Sequence, residues 1–295
     1  MTIVLGTPGT DGPREAVDVL REAVDALRAW QDDGAPVQLH PGDLGWFWRR
    51  GARATAAAVR TWHRDGRILA VGLLDGPTLL RLAMAPEARR DEEPARRIVA
   101  DVTDPERGVL PAGRVNIEAP AGALVDDLLS EAGWGLDEPW TPLRRDLTEA
   151  VPDPGVRIEV VGPERAAAYA AVHRAAFDGS SFTAERWHAM ATGLPYAEAR
   201  SLLAYDGLGA AVASVTVWSA GPGRPGVLEP MGVHPDHRGR GHGTAVTLAA
   251  AATLRHLGAS SALVCTPSAN TAAVATYTSA GFRPCPEVRD RCRVA

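Results

Sequence analysis

The spacing of apolar residues changes period along the chain, and the changes mark its elements. Over residues 14–30, Val17, Leu20, Val24 and Leu27 recur three and four apart, which predicts an amphipathic helix with one apolar face. A second helical pattern covers 42–63. Two short apolar runs, 68–74 and 78–84, flank Asp75-Gly76, a pair that favours a tight turn and predicts a hairpin. Residues 94–101 read as a helix, 114–118 as a strand, and 124–132 as a helix stopped at Gly133. The stretch 148–155 (TEAVPDPG) is dense in turn formers and reads as a linker.

A similar succession then starts again. Residues 156–161 read as a strand and 163–176 as a helix. Two apolar runs, 201–205 and 210–218, flank Asp206-Gly207 as a second hairpin. Strands at 226–233 and 261–266 alternate with helices at 243–257 and 270–280, which end at Gly258 and Gly281. Both halves therefore carry a hairpin, a helix, a strand, a helix and a closing Gly-aromatic pair. This duplication predicts two similar α/β domains, 1–150 and 151–295.

Composition narrows the class. A chain of 295 residues has room for two compact domains, and 45% hydrophobic with 23% charged residues is ordinary for a globular protein. No apolar run is long enough to span a membrane. The N-terminal stretch lacks the basic and apolar regions of a signal peptide. Cys265, Cys285 and Cys292 form neither a disulfide framework nor a zinc knuckle, so reduced thiols, a cytoplasmic setting and no metal are expected. The net charge of −5 argues against a large nucleic-acid-binding surface. All 31 basic residues are Arg, which coding bias explains.

The chemistry concentrates in MGVHPDHRGRGHG, residues 231–243. An apolar strand runs into a glycine-rich turn and then a helix. Gly239, Gly241 and Gly243 relieve Cβ crowding, so successive N–H groups can converge on one anion at the positive end of the helix. Arg238 and Arg240 add charge. In physical terms this is a diphosphate site. It lacks the Lys-Ser/Thr of a Walker loop and the position of a dinucleotide fingerprint. Val233, Pro235, Arg238, Gly241 and Gly243 form a Val-x-Pro-x-x-Arg-x-x-Gly-x-Gly pattern. It resembles motif A of the GNAT acetyltransferase family. Asn270, Ala273, Tyr277 and Gly281-Phe282 resemble that family's last helix and the strand after it. The resemblance covers about 156–295.

It implies a mixed α+β fold, with each tandem domain a mostly antiparallel sheet flanked by helices, and acetyl-CoA as acyl donor without a metal. It further implies that backbone groups of Met231, Gly232 and Val233 meet the pantetheine arm and acetyl carbonyl. The amides of Arg238, Gly239, Arg240, Gly241, His242, Gly243 and Thr244 would hold the diphosphate. Asn270 would touch the CoA arm, and Tyr277 would protonate the departing thiolate. Glu229, in phase with Met231 and Val233 at period two, is the candidate general base; His234 competes with it. Each has a structural alternative: Asn270 as a helix cap, Tyr277 as a packed aromatic, Glu229 as a solvent-facing carboxylate. Phe182, Trp187 and Tyr196 would form either an acceptor wall or ordinary packing.

The first half reads as a degenerate copy. Aligning Pro86 with Pro235 sets Glu92, Glu93 and Pro94 against Gly241, His242 and Gly243. Two carboxylates would repel a diphosphate and Pro removes a donor. Gly122 and Leu129 stand opposite Asn270 and Tyr277. Residues 1–150 carry 18 Arg against 25 acidic residues, while 151–295 carry 13 against 11. The expected activity is N-acetyl transfer to a small-molecule amine by direct attack. The rivals are a non-catalytic CoA-binding or protein-interaction module and, on a weaker footing, an aminoacyl-tRNA-dependent transferase. No membrane or nucleic-acid partner is expected, and an oligomer stays open.

Overall fold

The computed structural model describes residues 3–6 and 13–294. In chain order its elements are β1 (Val4–Gly6), α1 (Pro13–Trp30), α2 (Pro41–Phe47), α3 (Ala52–Ala58), β2 (Val59–Arg64), β3 (Arg67–Leu74) and β4 (Leu79–Met84). There follow α4 (Glu92–Thr103), β5 (Val115–Glu118), α5 (Leu124–Glu131), β6 (Gly135–Asp146), β7 (Ile158–Val160), α6 (Ala166–Ala176) and α7 (Ala184–Ala191). The chain closes with β8 (Ala199–Tyr205), β9 (Ala211–Trp218), β10 (Gly226–Val233), α8 (His242–His256), β11 (Ser261–Pro267), α9 (Thr271–Ser279), β12 (Arg283–Pro284) and β13 (Val288–Arg293).

The expected hairpins at Asp75-Gly76 and Asp206-Gly207 form as β3–β4 and β8–β9, both antiparallel. The expected helix at 42–63 does not. Gly51 adopts a positive φ of 89° and ends the helical path. After α3, Val59, Thr61 and Trp62 prefer a pleated backbone and form β2. Asp65 and Gly66, with φ of 54° and 79°, then turn β2 back onto β3.

Contacts divide the chain into two units. One comprises residues 1–44, 52–140 and 287–295; the other comprises 45–51 and 141–286. This differs from a division at 150/151. The last strand, β13, belongs with the first half, and a short segment around Trp46 and Trp48 belongs with the second.

In the first unit the strand order is β1-β2-β3-β4-β5-β13-β6. Its pairings are antiparallel except β4–β5. In the second the order is β6-β11-β10-β9-β8-β7, with β12 beside β6. Here β7, β8, β9 and β10 are antiparallel, and β10–β11 is parallel. Each unit is thus a mostly antiparallel mixed sheet with helices, as expected.

The faces of the second sheet follow from period-two alternation. Ala213, Val215 and Val217 of β9 turn to one side, where they pack with Val246, Ala250 and Leu254 of α8 and Tyr277 of α9. The small alanines of α8 let that helix lie close. Trp218 turns to the other side, with Tyr169 of α6 and Trp187 and Met190 of α7. The Tyr169 hydroxyl bonds Thr216 on that face at 2.7 Å. Among the described residues no helix is long and apolar enough to cross a membrane.

Candidate active site

The site begins where two parallel strands part. β10 and β11 pair only at Gly226↔Ala262 and Val227↔Leu263, yet β10 continues to Val233 and β11 to Pro267. Beyond the last pair the two strands no longer pair with each other. The cause lies partly in β10. Leu228 pairs with Val217 and Met231 with Val215, so Glu229 and Pro230 together stand against one residue of β9. This bulge bends the strand and increases its twist. The indole Nε1–H of Trp218 donates to the Glu229 carbonyl at 2.7 Å and holds the bend.

The bulge also corrects the expected phase. Leu228, not Glu229, shares a face with Met231 and Val233, since all three pack with the α8 side. Period two assumes an uninterrupted ladder, and the extra residue breaks it. Glu229 nevertheless stands at the parting of the strands. Continuing the β10–β11 register by two residues brings Glu229 level with Cys265.

The glycine turn forms at the end of β10. A single 3₁₀ turn, Pro235–His237, precedes it, and the His234 Nδ1 accepts from the Asp236 N–H at 3.3 Å. His234 is therefore engaged in a cap. Gly239 and Gly241 have φ of 73° and 83°, values that side chains other than glycine rarely adopt. Gly241 caps α8, and its carbonyl receives the first helical bond from Ala245 at 2.9 Å. The amides of His242, Gly243 and Thr244 thus open the helix without intrahelical acceptors, at its positive end. A Cβ on Gly243 would come within 2.9 Å of Thr276 Cγ2, so a glycine there lets α9 approach the turn.

Arg238 has a part the sequence did not suggest. Its guanidinium donates to the Val233 carbonyl at 3.3 Å and to the Ala176 carbonyl at 3.1 Å, tying the end of α6 to the end of β10. Arg240 is exposed. Beneath the turn His242 is buried, its ring 6.2 Å from that of His237. His237 Nδ1 lies 3.6 Å from Asp206. Asp206 is held below the usual carboxylate range by the Ala210 N–H, with smaller contributions from Leu208, His237 and His242.

Tyr277 reaches the parting from α9. It is 6% exposed and packs in the core with Val264 and Phe282. Burial pushes its phenol up to about 12, and the charges of Glu229 and Cys265 add to that shift. Its hydroxyl is therefore protonated at any working pH and lies in the field of both groups. Asn270 caps α9, its Oδ1 accepting from the Ala273 N–H at 3.2 Å. The residue is exposed, which leaves its amide Nδ2 to the solvent side.

Phe182 and Trp187 are packed core, and Tyr196 bonds Ser201 at 3.1 Å. They are not an open wall. Trp46 stacks on Phe182 at 5.2 Å and lies 5.4 Å from His173. Burial drives His173 down to about 4, helped by Arg49 and Arg174, so it is a neutral ring in an apolar cluster.

The corresponding places in the first unit are occupied by its own side chains. Asp91 caps α4, accepting from the Glu93 N–H at 3.1 Å, where the second unit has Gly241. Arg64 pairs with Asp91 at 2.7 Å and Glu93 at 3.3 Å. Where β4 and β5 end their pairing at Arg81↔Glu118, Arg81 bonds Glu118 and Asp43, each at 2.7 Å. Leu129 is fully buried opposite the place of Tyr277. Among the described residues no group of His, Cys, Asp and Glu could hold a metal ion.

A splayed parallel pair, a glycine turn at a helix start and a buried phenol at the parting define a fold that supports acyl transfer. Residues 168–282 match the Acetyltransferase (GNAT) family. The whole chain resembles a GCN5-related N-acetyltransferase from Sphaerobacter thermophilus at 18% identity, with a TM-score of 0.58 and coverage of 99% of this chain and 95% of that one. It also resembles a tandem GNAT protein from the clavulanic acid biosynthesis pathway (17%, TM-score 0.57, 99% and 98%). A third similar structure is a GNAT-family acetyltransferase from Colwellia psychrerythraea (16%, 0.57, 99% of both chains). The tandem architecture thus extends over the full length. No curated protein sequence matches this one at a significant level.

Proposed function

We propose that the second unit is an acetyl-CoA-dependent N-acetyltransferase acting on a primary amine of a small-molecule acceptor in the cytoplasm. The observation that carries this reading is the intact glycine turn at the start of α8, beside the point where β10 and β11 stop pairing. The donor residues suit a diphosphate and a thioester. The amides from Arg238 to Thr244 offer converging donors, and Arg240 adds exposed charge. The β10 backbone at Met231, Gly232 and Val233 suits the amides of a pantetheine arm, with the Val233 carbonyl already accepting from Arg238. The exposed Asn270 amide can meet the same arm while its oxygen caps α9.

Bound acetyl-CoA would supply an activated acyl group. Glu229 takes a proton from the acceptor ammonium, directly or through water, so that the nitrogen has a lone pair for attack. The C–N bond forms as the C–S bond breaks. Backbone N–H groups of β10 past the parting stabilise the oxyanion, and Tyr277 gives its proton to the departing sulfur. The first unit is a degenerate copy, since Asp91, Glu93 and the Arg81 ion pairs fill the places a diphosphate and an acyl arm would need.

The test is steady-state release of free thiol from acetyl-CoA over a panel of amines, together with binding stoichiometry. The expected result is turnover with at least one amine class and one acetyl-CoA per chain. Binding without turnover across the panel would make the chain a CoA-binding module. Two equivalents bound would overturn the degeneracy of the first unit.

A further inference from the structure

Two imidazole nitrogens beneath the glycine turn have no part in the reaction above. His237 Nδ1 and His242 Nδ1 are both shielded from solvent and, among the described residues, neither has a hydrogen-bond partner. His242 is 9% exposed and is the first residue of α8. Its ring lies 6.2 Å from that of His237, which lies 5.5 Å from that of His234. Behind His237 stands Asp206, in the turn between β8 and β9. Its Oδ1 accepts from the Leu208 N–H at 3.0 Å and the Ala210 N–H at 2.9 Å, and its Oδ2 faces His237 Nδ1 at 3.6 Å. Asp206 is thus fixed by its own turn, with one oxygen left to the rings. The other charged groups beside them are Asp236, 3.9 Å from His234 Nδ1, and Arg238 and Arg240 of the glycine turn. Of the elements packed against α8, β9 carries no titratable side chain and α9 only Tyr277. On β8 the Tyr205 ring is covered by Arg157, and Arg200 bonds the Ala199 carbonyl at the other end of the strand. Glu229 of β10 and Cys265 of β11 lie past the last pair of those strands.

We propose that the ring of His242, and not only its amide, is a binding residue for the diphosphate: the ring takes up a proton as the diphosphate seats on the turn, with His237 and Asp206 supporting it from behind. The proposal rests on the reading of this turn as the acetyl-CoA diphosphate site. A buried polar atom without a partner is a cost that a ligand or a proton can relieve. With no anion on the turn, a proton on His242 meets the positive end of α8 and the charges of Arg238 and Arg240. A diphosphate brings the opposite charge to that end and favours the charged form of an adjacent imidazole. The Asp206 carboxylate, held by the amides of its own turn, offsets positive charge on the ring pair from the other side. The sign follows from linkage. A ligand that favours the protonated ring binds more tightly as pH falls through the range where imidazole titrates, about 5 to 8.

Acetyl-CoA binding to the full-length protein is measured by titration calorimetry in two buffers of different ionisation enthalpy, which counts the protons taken up per ligand bound. Affinity is followed between about pH 6 and pH 8. His242→Asn and Asp206→Asn are measured alongside, so protons that the ligand's own phosphates exchange cancel in the comparison. Asparagine at 206 keeps the side-chain oxygen that the turn requires, so this variant carries the comparison if His242→Asn does not fold. The expected result is proton uptake by the wild type that is lost in His242→Asn and reduced in Asp206→Asn. From about pH 8 to pH 6 the wild-type affinity should gain at least about threefold more than that of His242→Asn. Equal uptake in the wild type and the folded variants, or parallel affinity profiles, would overturn the proposal and leave the acetyltransferase reading standing. Failure of the wild type to bind acetyl-CoA at all would overturn both.

Discussion

Tyr277→Phe separates a proton donor from a packing residue. The ring is buried between Val264 and Phe282, and the substitution keeps its volume. Among the described residues the hydroxyl has no partner to orphan, so stability should move by less than about 1 kcal/mol. Tyr277→Ala, by contrast, would open a cavity costing about 3–5 kcal/mol and confuse the two roles. If the phenol is the general acid, its removal should slow turnover by about 100-fold, or roughly 2.7 kcal/mol of barrier. Affinity for acetyl-CoA should stay within about twofold, because the diphosphate and arm contacts lie elsewhere. The phenol titrates at about 12, so it stays protonated and the variant's pH profile should keep its shape below that value. The assay is thiol release in steady state beside a binding titration and a thermal melt. Wild-type turnover in the Phe variant, or equal loss of turnover and affinity, would refute the reasoning.

Glu229→Gln should lower the rate most at low pH, where deprotonating the acceptor is hardest. A uniform loss across the profile would remove it as base. Gly241→Val forces a branched side chain into a positive φ at the start of α8, which should cost about 1–2 kcal/mol in a denaturant melt and weaken acetyl-CoA binding. In the first unit, burial raises Asp290 to about 6, with Glu118 and Asp137 adding to the shift and Arg81 opposing it. A carboxyl raised in the folded state stabilises below its unfolded value near 4, and that stability is lost as pH rises through about 6. Asp290→Asn should therefore gain about 1–2 kcal/mol at pH 8, after allowance for partial exposure, and nothing near pH 4. Urea melts at the two pH values check this.

The elements most readable in the sequence were those whose cause is local. Asp75-Gly76 and Asp206-Gly207 dictate their turns, and the glycines of 239–243 dictate theirs. Asp65-Gly66 carried the same local signal, but the alanine run before Val59 masks it by extending a helical pattern. The bulge at Glu229 was not legible, because it arises from pairing with β9 rather than from the residues themselves. Cys265 was set aside because cysteine spacing speaks of disulfides and zinc, while its place across from Glu229 is a property of strand register. Arg238 read as a phosphate ligand from its charge; its bonds to Ala176 and Val233 depend on where α6 ends.

The assignment of 287–295 to the first unit bears on how the chain folds as it is made. The strand that lies between β5 and β6, β13, is synthesised after every strand of the second unit. At roughly 5–20 residues per second, about 7–28 s separate the end of β6 from the start of β13 on the ribosome. For that interval the first unit has two edges open where one filled sheet will be, and the second unit can collapse before the first is complete. The first unit is thus the one whose maturation waits on the other.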